Sequence, residues 1–80
     1  SFIGNNCIIN SGAILSHDVR ISDHVHITPG AIIAGNVKIG SGSLIGMGAS
    51  LFMGIEIGEN VIIQNGVSVF ENVKDNEIVS

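Results

Sequence analysis

The chain has 80 residues, 45% of them hydrophobic and only 12% charged, with a formal net charge of −4 at pH 7. Three basic residues against seven acidic ones argue against nucleic acid as a partner. No apolar run approaches the ~18 residues of a membrane span, and none has the layout of a signal peptide, so the expected location is the cytoplasm.

An ordinary domain of this size has a marginal core, so this many aliphatics must pack by repetition. Twelve hexads, each opening on an aliphatic residue, run from Ile3 to Val69, and a small or branched residue follows each opening by four. A period of six matches neither the 3.6 of a helix nor a single hairpin, and an unbroken register predicts a solenoid. The expected fold is all-β, a left-handed parallel β-helix spanning 1–80 as one unit. Three hexads per turn give about four triangular coils ~4.8 Å apart, a prism roughly 19 Å tall.

The first coil opens at Ile3, Ile9 and Leu15. Its only cysteine, Cys7, falls at an inward position and reads as a packed thiol. The coil closes on Leu15-Ser16-His17-Asp18-Val19-Arg20, where a His-Asp pair replaces the small residues common at a corner. The second coil, from Ile21, carries His24, His26, Gly30, Gly35 and Lys38. The third, from Ile39, carries Met47, Gly48 and Glu56. The fourth, from Ile57, carries Asn65, Gly66 and Lys74. No helix is predicted to cap either end, which suggests the repeat portion of a longer chain.

Folding the chain onto a triangle places residues 18 apart in one column. Gly12, Gly30, Gly48 and Gly66 share a corner column, where positive φ is expected. The outward columns are Ile8, His26, Leu44 and Ile62; Ile14, Ile32, Ser50 and Ser68; and Arg20, Lys38, Glu56 and Lys74. An outward aliphatic stripe is a liability in a monomer, so a homotrimer burying the first face is expected. All three basic residues fall in the last column, which reads as a charge ladder around Glu56 in preference to a phosphate site.

The polar exceptions are the candidates for chemistry. A neutral imidazole can take a proton from an amine or hydroxyl, and an adjacent carboxylate can fix its tautomer. Gly35 stacks above His17 and is expected to leave its backbone N–H open to an oxyanion. From the repeat alone, a solvated turn histidine explains His17 equally well. His24 reads as an exposed turn residue. His26 interrupts an aliphatic column and lies across the prism from His17, so the two can meet only between subunits. No serine or cysteine is placed as a nucleophile beside His17, which argues for direct transfer.

The segments Asn6-Cys7-Ile8-Ile9-Asn10, Ser16-His17-Asp18, His24-Val25-His26-Ile27 and Ala34-Gly35-Asn36-Val37-Lys38-Ile39-Gly40 resemble those of the hexapeptide-repeat acyltransferases. Within them the chain is similar to the sialic-acid O-acetyltransferase and UDP-4-amino-sugar N-acetyltransferase group. The resemblance implies acetyl-CoA as donor, a sugar or nucleotide-sugar acceptor, and active sites at the interfaces of a homotrimer. It implies His17 as general base, Asp18 as its orienting acid, His26 as a contact to acetyl-CoA or substrate, and Gly35 as donor to the thioester carbonyl. By position, the backbones of Met47 and Asn65 are implied to border the pantetheine arm. Asp18 stands where relatives commonly have glutamate, and the amino-terminal nucleotide-sugar-binding domain of the family is not in this sequence.

Two other classes compete. A trimeric γ-type carbonic anhydrase uses the same fold and three histidines on zinc, but its spacing differs from the seven and two residues separating His17, His24 and His26, so no metal is expected. A non-catalytic trimeric scaffold would make the histidines incidental.

Overall fold

The computed structural model describes all residues 1–80. Thirteen two-residue strands follow in chain order: β1 (Phe2–Ile3), β2 (Ile8–Ile9), β3 (Ile14–Leu15), β4 (Arg20–Ile21), β5 (His26–Ile27), β6 (Ile32–Ile33), β7 (Lys38–Ile39), β8 (Leu44–Ile45), β9 (Ser50–Leu51), β10 (Glu56–Ile57), β11 (Ile62–Ile63), β12 (Ser68–Val69) and β13 (Ile78–Val79). They stack into three parallel sheets, β1-β4-β7-β10, β2-β5-β8-β11-β13 and β3-β6-β9-β12, which form the walls of a left-handed β-helix.

Each strand turns its first residue outward and its second into the prism, as the alternation of side chains along a strand requires. Ile21, Ile27, Ile33, Ile39, Ile45, Leu51 and Ile63 are all at most 1% exposed, and the fourth residue after a hexad opening is buried with them from Val19 to Val61 and partly buried nearer the ends. Burial of each such isoleucine stabilises the stack by about 1.5–3 kcal/mol. One polar side chain enters this core. Ser43 Oγ donates to the Gly58 carbonyl (2.8 Å) and accepts the Val61 N–H (3.0 Å), so it ties two coils together. Cys7 is half-buried against the core, and its thiol lies 3.0 Å from the Ser22 carbonyl.

The corners explain much of the sequence. The third residue after each hexad opening from Ile3 to Ile63 is left-handed: Gly12, Gly30, Gly42, Gly48, Gly54 and Gly66 have φ of 67° to 78°, and Asn6, Asp18, His24, Asn36 and Asn60 have φ of 55° to 61°. Glycine, asparagine, aspartate and histidine are the residues that tolerate this region. The exposed His24 is therefore a turn residue, and Asp18 also serves the turn.

The hexad register breaks once. Elsewhere paired residues lie 18 apart, but Val73 bridges Ile57, and Ile62 pairs with Ile78, each 16 apart. An unbroken register would bring Asp75 to the inward position, and burying a carboxylate without a partner costs several kcal/mol. The last corner shortens by two residues, Val73 fills the place, and Asp75 moves to a corner where it accepts the Glu59 N–H at 2.8 Å. This corrects the expected basic column. Asn72, not Lys74, stands beside Glu56, whose N–H donates to the Asn72 side chain at 2.8 Å. The expected charge ladder is also absent: Arg20, Lys38 and Glu56 form no ion pair, and the Arg20 guanidinium lies 5.7 Å from the Phe2 ring centroid.

Candidate active site

His17 and Asp18 form the turn between β3 and β4, which joins the third sheet to the first. His17 Nδ1 lies 3.2 Å from Asp18 Oδ2, with both side chains about three-quarters exposed (72% and 75%). An ionised Asp18 accepts a hydrogen bond from Nδ1–H and leaves the Nε2 lone pair free to act as a base. One coil on, the corresponding corner residue is Gly35. A Cβ there would lie 2.6 Å from His17 Cε1 and Nε2, so the ring lies flush against the glycine backbone.

This contact changes the expectation for Gly35. The residue is buried, because the imidazole fills the space the missing side chain leaves. Its carbonyl accepts the Gly54 N–H at 2.9 Å, while its own N–H donates to nothing within the chain. At three other corners this donor is satisfied by a side chain one coil on: Asn5 N–H by Asp23 (2.7 Å), Met47 N–H by Asn65 (2.9 Å) and Glu59 N–H by Asp75 (2.8 Å). Elsewhere, as at Ser11 and Ser41, it is unpaired within the chain as it is at Gly35. Above Gly35 stands Met53, which cannot accept in that way.

The remaining candidates lie elsewhere. His26 sits on β5, next to the edge strand β2 of the second sheet, opposite the His17 corner, and is half-buried. Its Nε2 lies 2.8 Å from Asn10 Nδ2, and Asn10 also donates to the Ile27 carbonyl at 3.4 Å. With the amide donating, His26 carries its proton on Nδ1. The repeat does not mark Asn10 as a partner of His26, because Ile8 and not Asn10 lies 18 residues before His26; the contact comes from the two side chains meeting across the sheet. Met47 and Asn65 stack at the corner between the second and third sheets, joined by their side-chain-to-backbone hydrogen bond.

Two surfaces adjoin the His17 corner. On the third sheet, Ile32, Ala34, Phe52 and Phe70 line an apolar trough, with the two phenylalanine rings 5.8 Å apart. On the first sheet, Asp18, Arg20, Asn36, Lys38, Gly54 and Glu56 line an open polar groove of ≈ 520 Å³. No three His, Cys, Asp or Glu side chains converge where a metal ion could be held. No helix is long and apolar enough to cross a membrane.

Comparison with known families gives two matches along the coils. The family "Bacterial transferase hexapeptide (six repeats)" covers residues 18–52, and "Hexapeptide repeat of succinyl-transferase" covers residues 36–71. Together they span residues 18–71, so the chain carries the hexapeptide repeat of these transferase families. Solved structures of this class superpose on it closely. A mutant of perosamine N-acetyltransferase from Caulobacter crescentus, in complex with CoA and GDP-perosamine, is 33% identical with a TM-score of 0.94. The match covers 95% of this chain and 36% of that one. The acetyltransferase domain of PglB from Neisseria gonorrhoeae, in complex with acetyl coenzyme A, is 29% identical with a TM-score of 0.90, over 94% of this chain and 40% of that one. The chain thus spans well under half the length of those two relatives. No curated protein sequence matches it.

Proposed function

We propose that the chain is the catalytic β-helix of an acetyl-CoA-dependent acetyltransferase that acetylates an amino group, or a hydroxyl, of a nucleotide-linked sugar. The observation that carries this reading is the His17 imidazole, oriented by Asp18 and packed on a buried glycine whose N–H has no partner. The acceptor nitrogen or oxygen attacks the thioester carbon while His17 Nε2 removes its proton. The Gly35 N–H stabilises the developing oxyanion, the C–S bond breaks, and the proton passes to the CoA sulfur. The carbonyl must reach the Gly35 N–H beside the imidazole, so the base and the oxyanion donor share one small site.

Acetyl-CoA binding by the PglB domain supports the donor, and GDP-perosamine bound to the perosamine enzyme supports a nucleotide-sugar acceptor. In this reading the protein works in the cytoplasm as a homotrimer. His26, held by Asn10, reaches the donor bound at a neighbour's His17 corner, and the Met47 and Asn65 backbones border the pantetheine arm. A separate domain of a longer protein binds the nucleotide. Exposed Ile8 (54%), Ile62 (38%) and Ile78 (64%) on the second sheet support burial between subunits.

The test is release of free CoA by the full-length protein with acetyl-CoA and a panel of nucleotide-linked amino sugars and sialic acids. Turnover that falls ~10²–10⁴-fold in His17→Ala, with assembly intact, supports the mechanism. Undiminished turnover in that variant removes His17 from it.

A further inference from the structure

The polar groove beside Asp18 carries a charge arrangement that fold stability does not explain. Arg20 and Lys38 are direct register partners on β4 and β7, both outward and exposed. Two of the three cations of a chain with net charge −4 are therefore set side by side. Like charges directly opposite on adjacent strands are destabilising. Neither makes a direct ion pair, although the carboxylates of Asp18 and Glu56 line the same groove; the one charged pair in contact is His17 with Asp18. Glu56, the register partner of Lys38 on its other side, does not bridge to it.

The groove they line is wholly polar and open, with no apolar residue among Asp18, Arg20, Asn36, Lys38, Gly54 and Glu56. Arg20 rests its guanidinium 5.7 Å from the Phe2 ring centroid, which limits its rotamers while leaving its N–H edges free. A planar fork beside a flexible ammonium fits a phosphoryl group, which accepts from both. An acyl chain or an uncharged sugar would leave both cations without partners.

We infer that Arg20 and Lys38 form a phosphoryl-binding site that holds a phosphate-bearing substrate with its reacting end at His17. The inference rests on the acetyltransferase reading and deepens it. The phosphoryl group has two possible sources, the phosphates of CoA and the diphosphate of the nucleotide-linked acceptor. Both present the same chemistry to the groove.

The experiment compares full-length wild type with Arg20→Gln, Lys38→Gln and the double variant. It measures KM and kcat for acetyl-CoA, for acetyl-dephospho-CoA and for the best nucleotide-sugar acceptor. Binding of inorganic pyrophosphate is followed separately by calorimetry. The double variant is expected to raise one of the KM values about 10-fold or more, with kcat falling much less, and to weaken pyrophosphate binding in parallel. A KM effect on acetyl-CoA that vanishes with acetyl-dephospho-CoA identifies the donor's 3′-phosphate, and one on the acceptor identifies its diphosphate. Unchanged KM values together with unchanged pyrophosphate binding overturn the inference. If wild type turns over no acceptor, the acetyltransferase reading fails. The site then stands only if wild type binds pyrophosphate and the double variant does not.

Discussion

The His17 ring lies against Gly35 so closely that a Cβ on residue 35 would sit 2.6 Å from Cε1 and Nε2. Gly35 has no left-handed φ to protect, so its missing side chain serves the contact and not the turn. Gly35→Ala must therefore push the imidazole aside, and an exposed ring moves at little energetic expense. The expected result is an unchanged melting temperature with kcat reduced ~10²-fold or more, because small displacements of a catalytic base are costly. Equal turnover in wild type and Gly35→Ala would show that the ring position does not matter.

Asp18 has two roles that substitutions can separate. It holds φ of 55° at the corner and approaches His17 Nδ1 at 3.2 Å. Asp18→Asn and Asp18→Gly both suit the left-handed turn, so both should fold as wild type does. Both remove the carboxylate and should lower kcat roughly 10-fold or more through loss of the fixed tautomer. Asp18→Ala should additionally lose about 1–2 kcal/mol of stability in a denaturant titration.

The Asn10 to His26 hydrogen bond, 2.8 Å long, predicts that these residues act as a unit. Asn10→Ala and His26→Ala should each raise KM for acetyl-CoA, and the double variant should be little worse than either alone. Additive effects in that cycle would separate them.

His24 stands at φ of 60° on an exposed corner and makes no side-chain hydrogen bond. His24→Gly should keep turnover within about 2-fold and leave stability equal or slightly raised, since glycine meets no penalty there. Loss of activity in this variant would mark His24 as part of the chemistry.

Ser43 tests the core. Its hydroxyl bridges the Gly58 carbonyl and the Val61 N–H, so Ser43→Ala leaves two backbone groups short of a partner. The expected loss is about 1–3 kcal/mol on chemical denaturation. A neutral substitution would mean that water replaces the hydroxyl.

Much of the molecule was legible in the residues. The period of six determined the three outward columns and the inward isoleucines through most of the chain, because strand alternation and stacking leave no freedom once the register is set. The glycine corner column was legible for the same reason, and the His-Asp pair stood out as an exception to the repeat. The family resemblance drawn from those residues agrees with the family matches along residues 18–71.

Other features were decided only in three dimensions. Val73 is inward in either register, so the shortened last corner and the displacement of Lys74 became visible only once Val73 paired with Ile57. The burial of Gly35 depended on which way the His17 side chain turned, and the Asn10 to His26 bond on two rotamers meeting across a sheet. A repeat specifies where each Cα stands, because backbone hydrogen bonds hold neighbouring coils at one spacing. It does not specify the rotamers, which settle only against neighbours that are distant in sequence and supplied by the folded prism.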